Sequence, residues 1–122
     1  MSEYQTDHQW MELLRSDEPG IIRTREDWEA FLNDAERVAD VFPDCDDETI
    51  KAFGEGLIFR GLGLAGADYS MLIDRLTYRK FYEVWATLFG MAANVFEDHK
   101  EYYCAKRATC NQSQNQICTS NC

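Results

Sequence analysis

The chain has 122 residues, and its 22 acidic against 12 basic side chains give a formal net charge of −10. One domain is expected at this length, and 45% hydrophobic content with 13% aromatics suffices for a core and excludes wholesale disorder. No apolar run approaches the ~20 residues of a membrane helix. The acid excess argues against direct contact with nucleic acid or anionic membranes, which both need basic surface.

The first residues, Met1 to Asp7, are polar and acidic, without the basic and apolar regions of a secretory signal. A cytoplasmic protein is expected on that ground. Thr6 and Gln9 have the spacing of a capping box, so a helix is predicted from Thr6 to Ser16, with Trp10, Leu13 and Leu14 on one face. Pro19 and Gly20 end it, and Ile21-Ile22 reads as a buried connector.

Thr24 with Asp27 signals a second cap. Trp28, Phe31, Leu32, Ala35, Val38, Ala39 and Phe42 then recur in steps of three and four, which predicts one helix that stops at Pro43. A third helix is expected to open among Asp44, Cys45, Asp46, Asp47 and Glu48 and to bury Ile50, Phe53, Leu57 and Ile58. Glycine weakens helices by about 1 kcal/mol per interior position, so the stretch from Gly54 to Gly66 should pass into a loop, unless Gly54 marks a close helix contact. Gly61, Gly63 and Gly66 match a dinucleotide-binding spacing by letter, but no βαβ pattern surrounds them.

A fourth helical pattern runs from Asp68 or Ser70 to Phe96, with Gly90 as the expected break. No segment alternates with period two. The predicted fold is therefore an all-α bundle of four to five helices over residues 1–103, followed by a polar, cysteine-bearing tail over 104–122. Aromatics such as Phe89 and Phe96 strain the capacity of one small core and leave a homodimer open.

Four of the five cysteines, Cys104, Cys110, Cys118 and Cys122, lie in that tail. They could supply a structural zinc site, with His99 as a further ligand, but their spacing lacks a Cys-x-x-Cys pair. A flexible tail with free thiols, or one cross-linked after purification, is the expected state. A modified-peptide precursor is a further alternative, since Thr119 with Cys122 and Ser113 with Cys118 have ring-closing spacings.

No nucleophile elbow, phosphate loop or metalloprotease motif occurs, so an enzyme is not expected. The whole charge excess sits in residues 1–60, with 16 acids and 6 bases; residues 61–122 hold 6 of each. Asp27, Glu29, Asp34, Glu36, Asp40, Asp44, Asp46, Asp47 and Glu48 are the candidate binding residues. Glu29, Glu36 and Asp40 would share one side of the second helix. Such a field steers a basic partner. The expected function is a small non-enzymatic protein that binds a basic, nucleic-acid-binding protein surface, with Trp10 or Tyr4 as rim anchor. Phage-encoded inhibitors and nuclease-immunity proteins share this profile as a class.

Overall fold

The computed structural model describes residues 5–16 and 18–122. Within them the chain forms α1 (Asp7–Arg15), α2 (Arg25–Leu32), α3 (Ala35–Val41), α4 (Asp47–Glu55), β1 (Ile58–Arg60) and β2 (Gly63–Asp68). A 3-10 turn at Ser70–Leu72 leads to α5 (Tyr78–Phe89), α6 (Ala93–His99), β3 (Lys100–Lys106) and β4 (Thr109–Cys118). The strands make one antiparallel sheet in the order β1-β2-β4-β3. This corrects the all-α expectation: the fold is mixed, with helices and a four-stranded sheet.

The helix starts follow their caps. Thr6 and Gln9 form the reciprocal capping box, and Thr24 accepts from the Asp27 amide. The long second helix is two helices. Asn33 closes α2, and Asp34 starts α3 by accepting from the Arg37 amide at 3.2 Å. An N-cap inside an apolar periodicity thus interrupts the helix without disturbing the pattern, and Trp28, Phe31 and Phe42 remain buried. Gly90 ends α5 in the left-handed region at φ 68°, where a side chain would also collide with Leu13.

The helices pack through aromatic edges. Phe53 of α4 meets Trp28 of α2 at 5.9 Å and Trp85 of α5 at 5.8 Å between ring centroids, both edge-on. Phe89 and Phe96 are buried in this single-chain core, which removes the reason for expecting a dimer. Trp10 is buried too, and its indole donates to the Phe89 carbonyl at 2.9 Å.

The expected loop at residues 61–66 is instead the turn and second strand of the β1–β2 hairpin. Residues 104–122 are not a separate tail. β3 runs across residue 104, and β4 pairs with β2 through Gly66–Cys118, Ala67–Ile117 and Asp68–Gln116. Ile117 is fully buried. Disulfides Cys104–Cys122 and Cys110–Cys118 close the hairpin, in place of the flexible tail expected there.

Cys110 and Cys118 lie at the two ends of β4, yet their Cα atoms are 5.8 Å apart. Eight straight strand steps would span about 26 Å. β4 must therefore double back, and the register shows where: Tyr102 pairs with Gln112 but Lys100 with Ile117, so Ser113–Gln116 bulge out opposite Glu101. Glu101 (φ 69°) and Asn115 (φ 61°) take left-handed backbone at this kink, and the Glu101 carboxylate accepts from the Asn115 amide at 2.9 Å.

Gly54 is the close-contact glycine. A Cβ there would come within 2.4 Å of the Trp28 indole. Gly54→Ala should thus destabilise the fold by about 1–3 kcal/mol in urea unfolding, the usual range for overpacking, rather than add the stability that alanine brings to an open helix.

Candidate protein-binding surface

All nine candidate acids are exposed. They lie on or beside α2, α3 and α4. Among the described residues none of them takes part in an ion pair; the pairs formed join other carboxylates, such as Glu12 with Arg15 and Glu97 with Lys100.

The reason lies with the arginines. Arg23 donates to the carbonyls of Leu14 at 3.1 Å, Ser16 at 3.0 Å and Glu18 at 3.1 Å, just past the end of α1. Arg25 donates to Gly54 and Leu57 at 2.6 Å each, at the end of α4, and lies over the Phe59 ring. Arg37 donates to Gly20 at 2.6 Å and lies over Phe31. These cations are committed to main-chain carbonyls, those of Arg23 and Arg25 at helix ends where the dipole favours positive charge, and leave the nine carboxylates without ion-pair partners among the described residues.

Three of the nine acids also have work within the fold. Asp34 caps α3. Asp46 caps α4, accepting from the Thr49 amide at 2.8 Å. Asp27 accepts from the Arg23 amide at 2.9 Å. The hydroxyl and amide of Thr49 hold the Asp46 carboxyl below the usual carboxylate range. The helix break at Asn33 places Glu29 on α2 and Glu36 and Asp40 on α3, so the spacing argument for one shared helix face no longer applies. Glu29, Glu36, Asp40, Asp44, Asp47 and Glu48 remain as acids without a capping role.

Between α2 and α4 runs a concavity of about 450 Å³. Trp28, Leu32, Val38 and Ile50 contribute its apolar lining, and Glu29, Asp47 and Glu55 its acids. Lys51 and the carbonyl-bound Arg25 also line it. Glu55 also belongs to the acid-rich stretch of the first half, beyond the nine candidates. The rim anchor expected of Trp10 is absent because that side chain is core; Tyr4 lies outside the described residues.

A second hollow of about 360 Å³ borders the sheet kink, beside Tyr69, Tyr78, Tyr82 and Glu101. Burial pushes the Tyr69 and Tyr82 phenols up, and neighbouring Glu101 and Glu97 respectively add to it. Burial also acts to raise Glu97, but the Tyr82 hydroxyl and Lys100 outweigh it and leave that carboxyl low.

Cys45 is half-buried and outside both disulfides. Burial pushes its thiol up, which disfavours the nucleophilic thiolate. His99 hydrogen-bonds Asp7 at 2.9 Å and does not join the cysteines. No helix among the described residues is long and apolar enough to cross a membrane. Compared with protein-family models, with curated proteins and with solved structures, the chain matches none.

The capping and non-capping acids should separate in stability measurements. Asp34→Ala should cost about 0.5–2 kcal/mol in denaturant unfolding, and Asp46→Ala should lower the unfolding midpoint in the same direction, whereas Glu36→Gln and Asp40→Asn should stay within about 0.5 kcal/mol. Because Asp46 titrates lower when folded than when unfolded, its contribution is present at neutral pH and is lost as pH falls through the lowered value. Asp46→Asn should accordingly flatten the acid limb of a stability–pH curve and leave its neutral and alkaline shape unchanged.

Proposed function

We propose that this is a non-enzymatic protein whose acidic α2–α4 surface binds, and thereby blocks or regulates, a basic protein surface of the kind that otherwise contacts nucleic acid. The observation that carries this reading is the state of the acids. All nine are exposed and none is ion-paired among the described residues, because Arg23, Arg25 and Arg37 are committed to carbonyls. An uncompensated field of this kind speeds encounter with a cationic partner and discriminates against anionic ones.

The groove between α2 and α4 supplies what the charges lack. Charge pairs at an exposed rim contribute little affinity each, and interfaces gain most from a desolvated anchor near their centre. Here the partner would bring the anchor: an apolar side chain flanked by lysine or arginine, seated against Trp28 and Ile50, with Glu29, Asp47 and Glu55 beside it. An oxidising surrounding suits the two disulfides better than the reducing cytoplasm expected from the sequence.

The test is a binding titration against a panel of purified nucleic-acid-binding proteins at several salt concentrations. The partner's affinity should fall at least about tenfold from low to high ionic strength, since exposed charges are screened. Joint neutralisation of Glu29, Glu36, Asp40, Asp47 and Glu48 to their amides should weaken it by about tenfold to a hundredfold, at well under a kcal/mol per exposed pair, while the chain stays folded with a modestly lower unfolding midpoint, since Glu36, Asp47 and Glu48 lie in helix first turns. Affinity indifferent to both salt and neutralisation would remove the electrostatic mechanism.

A further inference from the structure

The two disulfides belong to one sulfur cluster. The Sγ atoms of Cys104, Cys118 and Cys122 all lie within 4.8 Å of one another, and Cys110 joins them through its bond to Cys118. The four residues come from three places in the chain. Cys104 lies on β3, Cys110 and Cys118 on the two arms of the doubled-back β4, and Cys122 on the segment that returns beside the β3–β4 turn, where its carbonyl accepts from the Ala108 amide at 2.6 Å. Cys104, Cys118 and Cys122 are buried, and Cys110 is exposed.

We infer that the reduced chain binds one zinc ion through the thiolates of Cys104, Cys110, Cys118 and Cys122. Tetrahedral zinc–thiolate bonds of about 2.3 Å set the sulfurs about 3.8 Å apart, close to the spacing within the Cys104, Cys118 and Cys122 cluster, and Cys110, bonded to Cys118 in the oxidised chain, is the adjacent fourth sulfur. The buried positions exclude water, as a closed structural site requires. The exposed position gives the ion a way in. Each thiol gives up its proton on binding, so Zn²⁺ and four thiols yield a tetrathiolate complex of charge −2 and four protons. Lys106 and Arg107, at the turn between Cys104 and Cys110, supply positive charge next to the site in the chain.

Metal and disulfides are alternative closures of the same kink. Without either, the doubled-back β4 rests on the Glu101–Asn115 hydrogen bond and its short pairing with β2, because Asn111 to Gln116 are polar and uncharged and Ile117 is the strand's one buried aliphatic side chain. The inference is independent of partner binding, since the candidate acids lie on α2–α4 and their flanks.

The experiment uses the full chain, reduced with a phosphine under argon and titrated with Co²⁺ alone. One Co²⁺ per chain should bind with the intense visible bands of a tetrahedral thiolate complex, and Zn²⁺ should bleach them. Cys110→Ser should weaken uptake by more than about tenfold, the loss that even changes in a ligand's outer partners can cause. Cys45→Ser should leave stoichiometry and spectrum unchanged. Zn²⁺ should also raise the thermal midpoint of the reduced protein, in the wild type and in Cys45→Ser alike. Absence of Co²⁺ uptake by the reduced chain would overturn the inference. So would uptake that survives Cys110→Ser and Cys118→Ser but is lost with Cys45→Ser.

Discussion

Three arginines bind carbonyls where carboxylates are plentiful, and the character of the molecule depends on that choice. The helices of the first half are short, from seven to nine residues, so chain ends make up much of their length. Each end leaves carbonyls without partners. Arg23 and Arg25 reach back to the ends of α1 and α4, and Arg25 at the same time ties α2 to α4 and covers Phe59. The matching N-termini take Thr6, Thr24, Asp34 and Asp46. Cations are thus consumed at one set of ends and a minority of the acids at the other, and the remaining carboxylates face solvent unmatched. The surface charge follows from how short helices finish.

The helical part was legible to the extent that its signals are local. Capping needs a few residues, and Thr6 with Gln9, Thr24 with Asp27 and the acid group before Ile50 all marked true starts. The break at Asn33–Asp34 was hidden because Val38 and Phe42 continue the phase of Trp28 and Phe31. The sheet was hidden for a different reason. Gly63 to Ala67 is buried on both faces and shows no alternation. β4 is mostly polar, and its partners lie far off in sequence, with Gly66 opposite Cys118. Nothing within a short window records a pairing of that separation. Two disulfides take the place of the apolar face that would have announced the strand.

The candidate surface was legible in its charges and not in its shape. Asp, Glu and their positions are printed in the chain, and exposure is the ordinary fate of an unpaired acid. The groove is a property of two helices, not of either one. It exists because Gly54 lets α4 approach the Trp28 indole, and the sequence signal for it was a single glycine inside a helical pattern. Trp10 misled in the opposite way: its place on a short, polar helix resembles that of an exposed anchor, while its indole nitrogen is satisfied by the Phe89 carbonyl deep in the core.

The pairing of β2 with β4 has a consequence for how the molecule is made. Synthesis runs from the amino end, and segments can settle as they emerge. The helices and the β1–β2 hairpin precede residue 100, but the strand that completes the sheet, with Ile117 as its buried side chain, follows it. Until residues 116–118 are out of the ribosome, β2 offers an unpaired edge and the core lacks one wall. A nascent chain is therefore exposed to off-pathway strand pairing from the emergence of β2 until that of β4. The acidic first half, already in solution by then, is well placed to keep such chains apart by mutual repulsion.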